Sequence, residues 1–235
     1  MNFKIYICHY APLVERKQYL DSVLPDLDIP YEFSNIYTRD NLAEHSNMFS
    51  IETKDLDQKN KHSTTQCNSP LVSPSIKATN LEHLHILREL ANSSYEAALV
   101  LEDDAVLVTD FAIRLQDKIE CLPTDWDIVF MNSGCGGREQ QIKEALEVAS
   151  SVDGFLKMPR RQSWTAGGYF IKKTTAEKFI EHILPMALPI DFELTYLQNL
   201  LQSNVYWLED PLIYDGSNKS SGEYFRYPSS HGFSS

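Results

Sequence analysis

The run Ala97-Ala98-Leu99-Val100-Leu101 ends on three acids, Glu102-Asp103-Asp104, before Ala105-Val106-Leu107-Val108 resumes. A short apolar run that stops on concentrated negative charge reads as a buried strand. Side chains alternate along a strand, so Glu102 and Asp104 are expected on one side and Asp103 on the other. Adjacent acids repel one another, and burying them uncompensated is costly, which makes a bound cation the natural partner. Hard carboxylate oxygens suit Mg²⁺ or Mn²⁺. Ligands of open α/β sheets gather beyond the carboxyl ends of the strands, which is where these acids fall. The competing explanation is a solvated turn between two strands.

Several classes of function are set aside by composition. An excess of 33 acids over 21 bases gives a net charge of −12, which disfavours a general nucleic-acid or anionic-membrane binder while leaving room for an anionic ligand held through a metal. Cys8, Cys67, Cys121 and Cys135 form no Cys-x-x-Cys pair, so free thiols in a reducing compartment are expected. The first residues lack the apolar core of a signal peptide, and no run approaches the ~18 apolar residues of a membrane span. A soluble cytoplasmic protein, or one made in the cytoplasm of a host, is the expectation. At 235 residues one domain is favoured.

In chain order, Lys4 to Tyr10 reads as a first strand, as in many nucleotide-binding α/β domains, followed by a turn and a helix reaching about Leu24. Arg16 on that helix is a candidate for a phosphate or base, against plain solvation. A second strand is expected within Ile29 to Tyr37. From Thr38 to Ser75 periodicity is lost, and the stretch reads as a loop insertion near the site. Thr79 and Glu82 have capping-box spacing, predicting a helix from about Thr79 to Asn92 with Ser75 and Lys77 just before it as donor contacts. Further helices are expected over Phe111 to Leu122, Glu139 to Ala149, after Thr174, and from about Pro189-Ile190-Asp191. Strands are expected at Trp126 to Met131, Gly154 to Met158, within Ser163 to Ile171, and at Val205 to Leu208. The glycines after Asn132 match neither Gly-x-Gly-x-x-Gly nor a P-loop. Small residues from Trp164 to Gly168 leave room for a ligand against the backbone. Residues 218–235 read as a loop-like tail.

Taken together, the strand at the N-terminus with its helix Arg, the His-Leu helix, Ala-Leu-Val-Leu-Glu-Asp-Asp, Thr-Ala-Gly-Gly-Tyr-Phe-Ile and Pro-x-Asp resemble glycosyltransferase family 25, the lipooligosaccharide and collagen galactosyltransferase relatives. The resemblance runs from about residue 3 to residue 217, with two departures. The first strand lacks the usual Asn-Leu-Asp-Arg wording, and Asp215-Gly216-Ser217 replaces a Ser-Asp-Ile-like ending. It implies a GT-A fold, an α/β Rossmann-like domain over residues 1–217 with a mostly parallel central sheet flanked by helices. It also implies a nucleotide-sugar donor, a divalent metal at Glu102-Asp103-Asp104 and inversion at the anomeric centre, with a glycan hydroxyl as acceptor.

On that reading Asp104 coordinates Mn²⁺ or Mg²⁺, Glu102 bonds a metal water or the ribose, and Asp103 helps to position the nucleoside. Asp215 and His231 are late-chain candidates for the metal shell. The base and ribose of a donor, with UDP-sugars favoured, are expected around Ile7, His9, Tyr10 and Arg16, and phosphate nearer Lys77 or the Arg160-Arg161 pair. Asp191 is the candidate general base: it follows a Pro and opens a helix beside the small-residue segment. Helix capping alone also explains an Asp there. A non-catalytic nucleotide-sugar or glycan-binding module and a metal-dependent phosphotransferase are the alternatives.

Overall fold

The computed structural model describes residues 1–62, 73–134, 143–144, 147, 151–158, 161–163 and 165–227. Its strands are β1 (Phe3–Cys8), β2 (Tyr31–Ser34), β3 (Ala97–Glu102), β4 (Ala105–Leu107), β5 (Ile128–Phe130), β6 (Phe155–Lys157), β7 (Gly168–Lys172), β8 (Val205–Leu208) and β9 (Ile213–Asp215). Its α-helices are α1 (Val14–Val23), α2 (Thr53–Asn60), α3 (Pro74–Asn92), α4 (Phe111–Glu120), α5 (Lys173–His182) and α6 (Ile190–Leu200).

Seven strands form the central sheet in the order β2-β1-β3-β7-β5-β8-β6, and β4 pairs with β9 in a small antiparallel ribbon. β2, β1, β3, β5 and β8 run one way and β7 and β6 the other, so the sheet is mostly parallel. The first strand and the acidic strand lie side by side as expected, with Cys8 opposite Glu102. Alternation along each strand feeds two cores. Tyr6, Ala98, Val100, Phe130 and Tyr169 pack on one face against Leu84 and Leu87 of α3, Phe179 of α5 and Leu194 and Leu197 of α6. Ile5, Ile7, Leu99, Leu101 and Phe170 pack on the other against Leu20 of α1 and Phe111 and Leu115 of α4. Burying each such side chain is worth ~1.5–3 kcal/mol, which is what holds the helices on both faces of the sheet. Among the described residues, no helix is long and apolar enough to cross a membrane.

Four local expectations are corrected. α3 begins five residues before Thr79: Ser73 is its N-cap, accepting from the Ile76 N–H, and Pro74 opens it. Thr79 Oγ1 instead donates to the Ser75 carbonyl, and the carboxylate of Glu82, inside the helix, accepts from Ser34 Oγ and the Tyr37 N–H. Within 38–75 the described residues include a 3₁₀ segment, Leu42–Met48, and α2. α2 is anchored by a buried ion pair, Lys59 Nζ to Glu193 Oε2 at 2.5 Å, and by Leu56 packed with Leu188. No strand was expected beyond Leu208, but Ile213–Asp215 form β9, too short for periodicity to reveal. Finally, α5 starts at Lys173 with no side-chain cap, so Thr174 lies inside its first turn. The expected helix over Glu139 to Ala149 lies largely outside the described residues.

Candidate active site

Strand register builds the site. Because Cys8 pairs with Glu102, the next residues of β1 emerge beside Asp103. Asp103 Oδ2 lies 3.0 Å from His9 Nδ1 and accepts from the Tyr10 N–H at 3.0 Å, while Oδ1 accepts from Arg16 Nη1 at 2.7 Å. Arg16 and Asp103 are 5% and 6% exposed. Burial alone would raise the Asp103 pKa, but the bonds from His9, the Tyr10 N–H and Arg16 together hold it below the ordinary carboxylate value. Asp103 is thus a hub that joins β1, α1 and the end of β3, with both oxygens engaged by the protein.

The neighbouring acids are less fully compensated, Asp104 Oδ2 standing 3.7 Å from Arg16 Nη1. Pairing of Ala105 with Asp215 brings β9 alongside the acidic turn, and the Gly216 N–H donates to the Asp104 carbonyl at 2.8 Å. Burial and then the charge of Asp215 push the Asp104 carboxyl up to about 7, against a hydrogen bond from Ser217 and the attraction of Arg16. Burial, then Asp104 and Asp103, push Glu102 up to about 8. Its Oε1 lies 3.5 Å from Nε2 of His83. His83 is wholly buried, which drives its pKa down to about 4, so the ring is neutral.

Two cavities meet at Glu102, Asp104 and Thr79. The first is lined by the ends of β1 and α1 (Cys8, His9, Tyr10, Leu13, Arg16), by Tyr37 and Arg39, and by Ser75, Ala78, Thr79 and Glu82 of α3. The Arg39 guanidinium lies 5.3 Å from the centre of the Tyr10 ring. The second is lined by Ile76, Thr79 and Asn80 of α3, by Thr165 and Ala166, by Pro189, Ile190 and Asp191, and by Asp215 and Ser217. Asp103 lines the first cavity and not the second, whereas Glu102 and Asp104 line both; β3 ends at Glu102 and the two aspartates lie in the turn that follows, so the expected strand alternation does not carry through the triplet.

Asp191 stands on the wall of the second cavity. Pro189 occupies the N-cap of α6 and makes no side-chain capping bond, so Asp191 is the second helical residue. Burial, then Glu102, raise its carboxyl to about 7, against backbone hydrogen bonds at the helix start. Its own carbonyl accepts from Thr195 Oγ1 at 2.9 Å and from Ser163 Oγ.

Other expected residues stand apart. Because α3 starts at Pro74, Lys77 is turned away from both linings, with Nζ 5.1 Å from the centre of the Phe49 ring. Arg161 Nε donates to the Ser203 carbonyl at 2.7 Å, outside either lining. Arg160, Trp164 and His231 lie outside the described residues. The space at Gly168 is taken by protein: a Cβ there would meet Ile213 Cδ1 at 2.7 Å, so this glycine serves packing against β9. Thr165 and Ala166 do face the second cavity. Tyr37, Arg39, Asn80 and Ser217 were not singled out from sequence. They carry no motif, and register and the true start of α3 place them.

Oxygen donors are the right chemistry for Mg²⁺ or Mn²⁺, and Asp104 and Asp215 are close enough for one to raise the other's pKa. Among the described residues, no group of three or more His, Cys, Asp or Glu is arranged to hold a metal ion. The chain therefore fits such a cation only as part of a shell, and a ligand and water must complete it.

A family model described as glycosyltransferase family 25 (LPS biosynthesis protein) matches residues 3–194. No curated protein sequence matches the chain. Among solved structures, S. aureus TarS 1–349 has a TM-score of 0.42 and 11% identity over 92% of this chain, which spans 61% of the length of that one. The galactosyltransferase LgtC in complex with donor and acceptor sugar analogues has a TM-score of 0.40 and 13% identity, over 87% of this chain and 72% of that one. UDP-glucose pyrophosphorylase complexed with UDP-glucose has a TM-score of 0.45 and 9% identity, over 94% and 95%.

Proposed function

The chain belongs to glycosyltransferase family 25, and on that premise we propose that it moves a sugar from a nucleotide-sugar donor, a UDP-sugar in the favoured case, to a hydroxyl of a glycan acceptor. The observation that carries this reading is the pair of adjoining cavities that share Glu102 and Asp104. The first holds the donor nucleoside, with Tyr10 and Arg39 on its wall, and the second holds the acceptor.

Asp191 acts as general base. It accepts the proton of the acceptor hydroxyl as that oxygen bonds to the anomeric carbon, and the bond from that carbon to the diphosphate oxygen breaks. A single displacement of this kind inverts the anomeric centre. A carboxylate with a pKa of about 7 suits proton transfer near neutral pH. Glu102, at the junction, accepts from hydroxyls of the transferring sugar. Asp103 and Arg16 hold the end of β1 against the acidic turn and so fix the floor of the donor cavity. Asp104 and Asp215 would hold a divalent cation, which when bound supplies positive charge opposite the departing diphosphate. The unpaired thiols of Cys8 and Cys121 fit a reducing compartment, and we place the reaction in the cytoplasm.

The test is release of nucleoside diphosphate from a panel of UDP-, GDP- and dTDP-sugars with Mn²⁺, with and without a glycan array. Release that depends on one sugar nucleotide is expected. Binding without release under every acceptor would instead make the protein a binding module. Proton NMR of the product then reads the anomeric configuration, and retention would remove the single displacement.

A further inference from the structure

We propose that His83 is a positioning residue for Glu102, its Nε2–H holding one carboxylate oxygen of Glu102 in place at the junction of the two cavities. This rests on the transferase reading, which gives Glu102 a ligand to face. The inference starts from Tyr169 on β7. Its hydroxyl is buried, and burial pushes its pKa well above the ordinary value, so it keeps its proton. It lies 2.9 Å from His83 Nδ1, and the two rings stack at 5.7 Å and 17°. A phenol that donates to Nδ1 makes that nitrogen the acceptor, and a neutral imidazole then carries its one proton on Nε2.

That Nε2 is wholly buried, forms no hydrogen bond in the described structure, and stands 3.5 Å from Glu102 Oε1. Buried donors are seldom left unused. Hydrogen bonds at reaction centres are often long before the ligand arrives and tighten once it is bound. The chain Tyr169, His83, Glu102 therefore runs from the interior of the sheet to the cleft, and the 3.5 Å gap closes when the cleft is loaded. With one oxygen held, Glu102 presents the other to the transferring sugar in a fixed orientation.

Nitrogen-15 NMR of histidine-labelled protein tests the geometry without any turnover. The expected result is a His83 ring protonated at Nε2, whose N–H proton signal moves downfield when UDP and Mg²⁺ are added. A ring protonated at Nδ1, or a signal unmoved at saturating UDP and Mg²⁺, overturns the proposal. Failure of the protein to bind UDP or any sugar nucleotide counts against the transferase reading instead, and the tautomer is still read in the free protein. Kinetics then separate positioning from folding. His83→Leu, checked for intact donor binding, is expected to lower kcat ~10–100-fold, the usual range for residues that orient a site through another group, with KM for donor changed much less. His83→Gln, which keeps a donor, recovers most of that loss. In a Glu102→Gln background His83→Leu is expected to cost nothing further. A loss of the same size in both backgrounds would show that His83 acts independently of Glu102, against the proposal.

Discussion

Arg16 Nη1 stands 2.7 Å from Asp103 Oδ1, and this buried contact ties the first helix to the acidic end of β3. Breaking a buried pair from one side leaves an uncompensated charge, typically at ~3–5 kcal/mol. Asp103→Asn is therefore expected to lose about that much stability in urea unfolding. Asp104→Asn, which removes a charge crowded by Asp215, is expected to cost nothing or to stabilise the metal-free protein while abolishing transfer. Equal destabilisation by both would contradict the division of labour within the triplet.

The pH dependence follows from the same acids. Glu102, Asp104 and Asp191 have folded-state pKa values raised to about 8, 7 and 7. For groups raised above their unfolded values, the folded state binds more protons, so their stabilisation is complete in acid and lost as pH rises through the folded pKa. Asp103, whose pKa is depressed, contributes the other way, its stability lost only as pH falls through its lowered value. The metal-free melting temperature should decline between the ordinary carboxylate range and about 8, and Mg²⁺ should restore more of it at the alkaline end. Thermal melts across pH with and without Mg²⁺ check this. A metal-free melting temperature that rises with pH over that range would contradict it.

Gly216 has no room for a side chain: a Cβ would sit 2.7 Å from Val106 Cγ2 and 2.8 Å from the Asp104 carbonyl oxygen. Overpacking of this kind costs ~1–3 kcal/mol. Gly216→Ala is expected to lose stability in that range and to weaken the response to Mg²⁺, because relief of the clash displaces the Asp104 backbone. Calorimetric Mg²⁺ titration in the presence of UDP checks the second effect, and an unchanged titration would detach Gly216 from the site.

Lys59 and Glu193 join α2 to the start of α6 through a buried contact of 2.5 Å. Glu193 Oε1 also accepts from the Ala187 and Leu188 N–H groups, at 2.7 and 2.9 Å. Lys59→Met is expected to cost ~3–5 kcal/mol in urea unfolding, and Glu193→Leu more, since it also strands two backbone donors. A mild effect of either would mean that α2 is only loosely attached to the helix bearing Asp191.

Much of this arrangement was legible in the chain because long apolar periodicity is local information. The acidic strand, its neighbour β1, the helix from the Leu81 region and the helix that opens near Asp191 all carry it. Strand alternation does not reach the two aspartates, which lie in the turn after β3, where Asp103 is drawn to His9 and Arg16. What was not legible depends on distant partners. Glu82 looks like half of a capping box but is drawn to Ser34 and Tyr37 across 48 and 45 residues. Lys77 loses its place at the cleft because Ser73 and Pro74 start the helix earlier than the Thr79 pattern suggested. Arg16, a candidate for phosphate or base, lines the first cavity and is also bonded to Asp103, a contact that no local pattern reveals. His83, buried between Tyr169 and Glu102, offers no local signal of its contacts.

The most direct measurement is the single-turnover rate of sugar transfer in Asp191→Asn, compared with the parent at saturating donor and Mg²⁺. Asparagine keeps the shape and the hydrogen bonds of a helix start but is no comparable base. Donor affinity should be unchanged while the rate falls ~10²–10⁴-fold, the loss expected when a general base is removed. Transfer at close to the parental rate, with donor and metal bound normally, would make Asp191 a helix-terminal residue and contradict its role as the base.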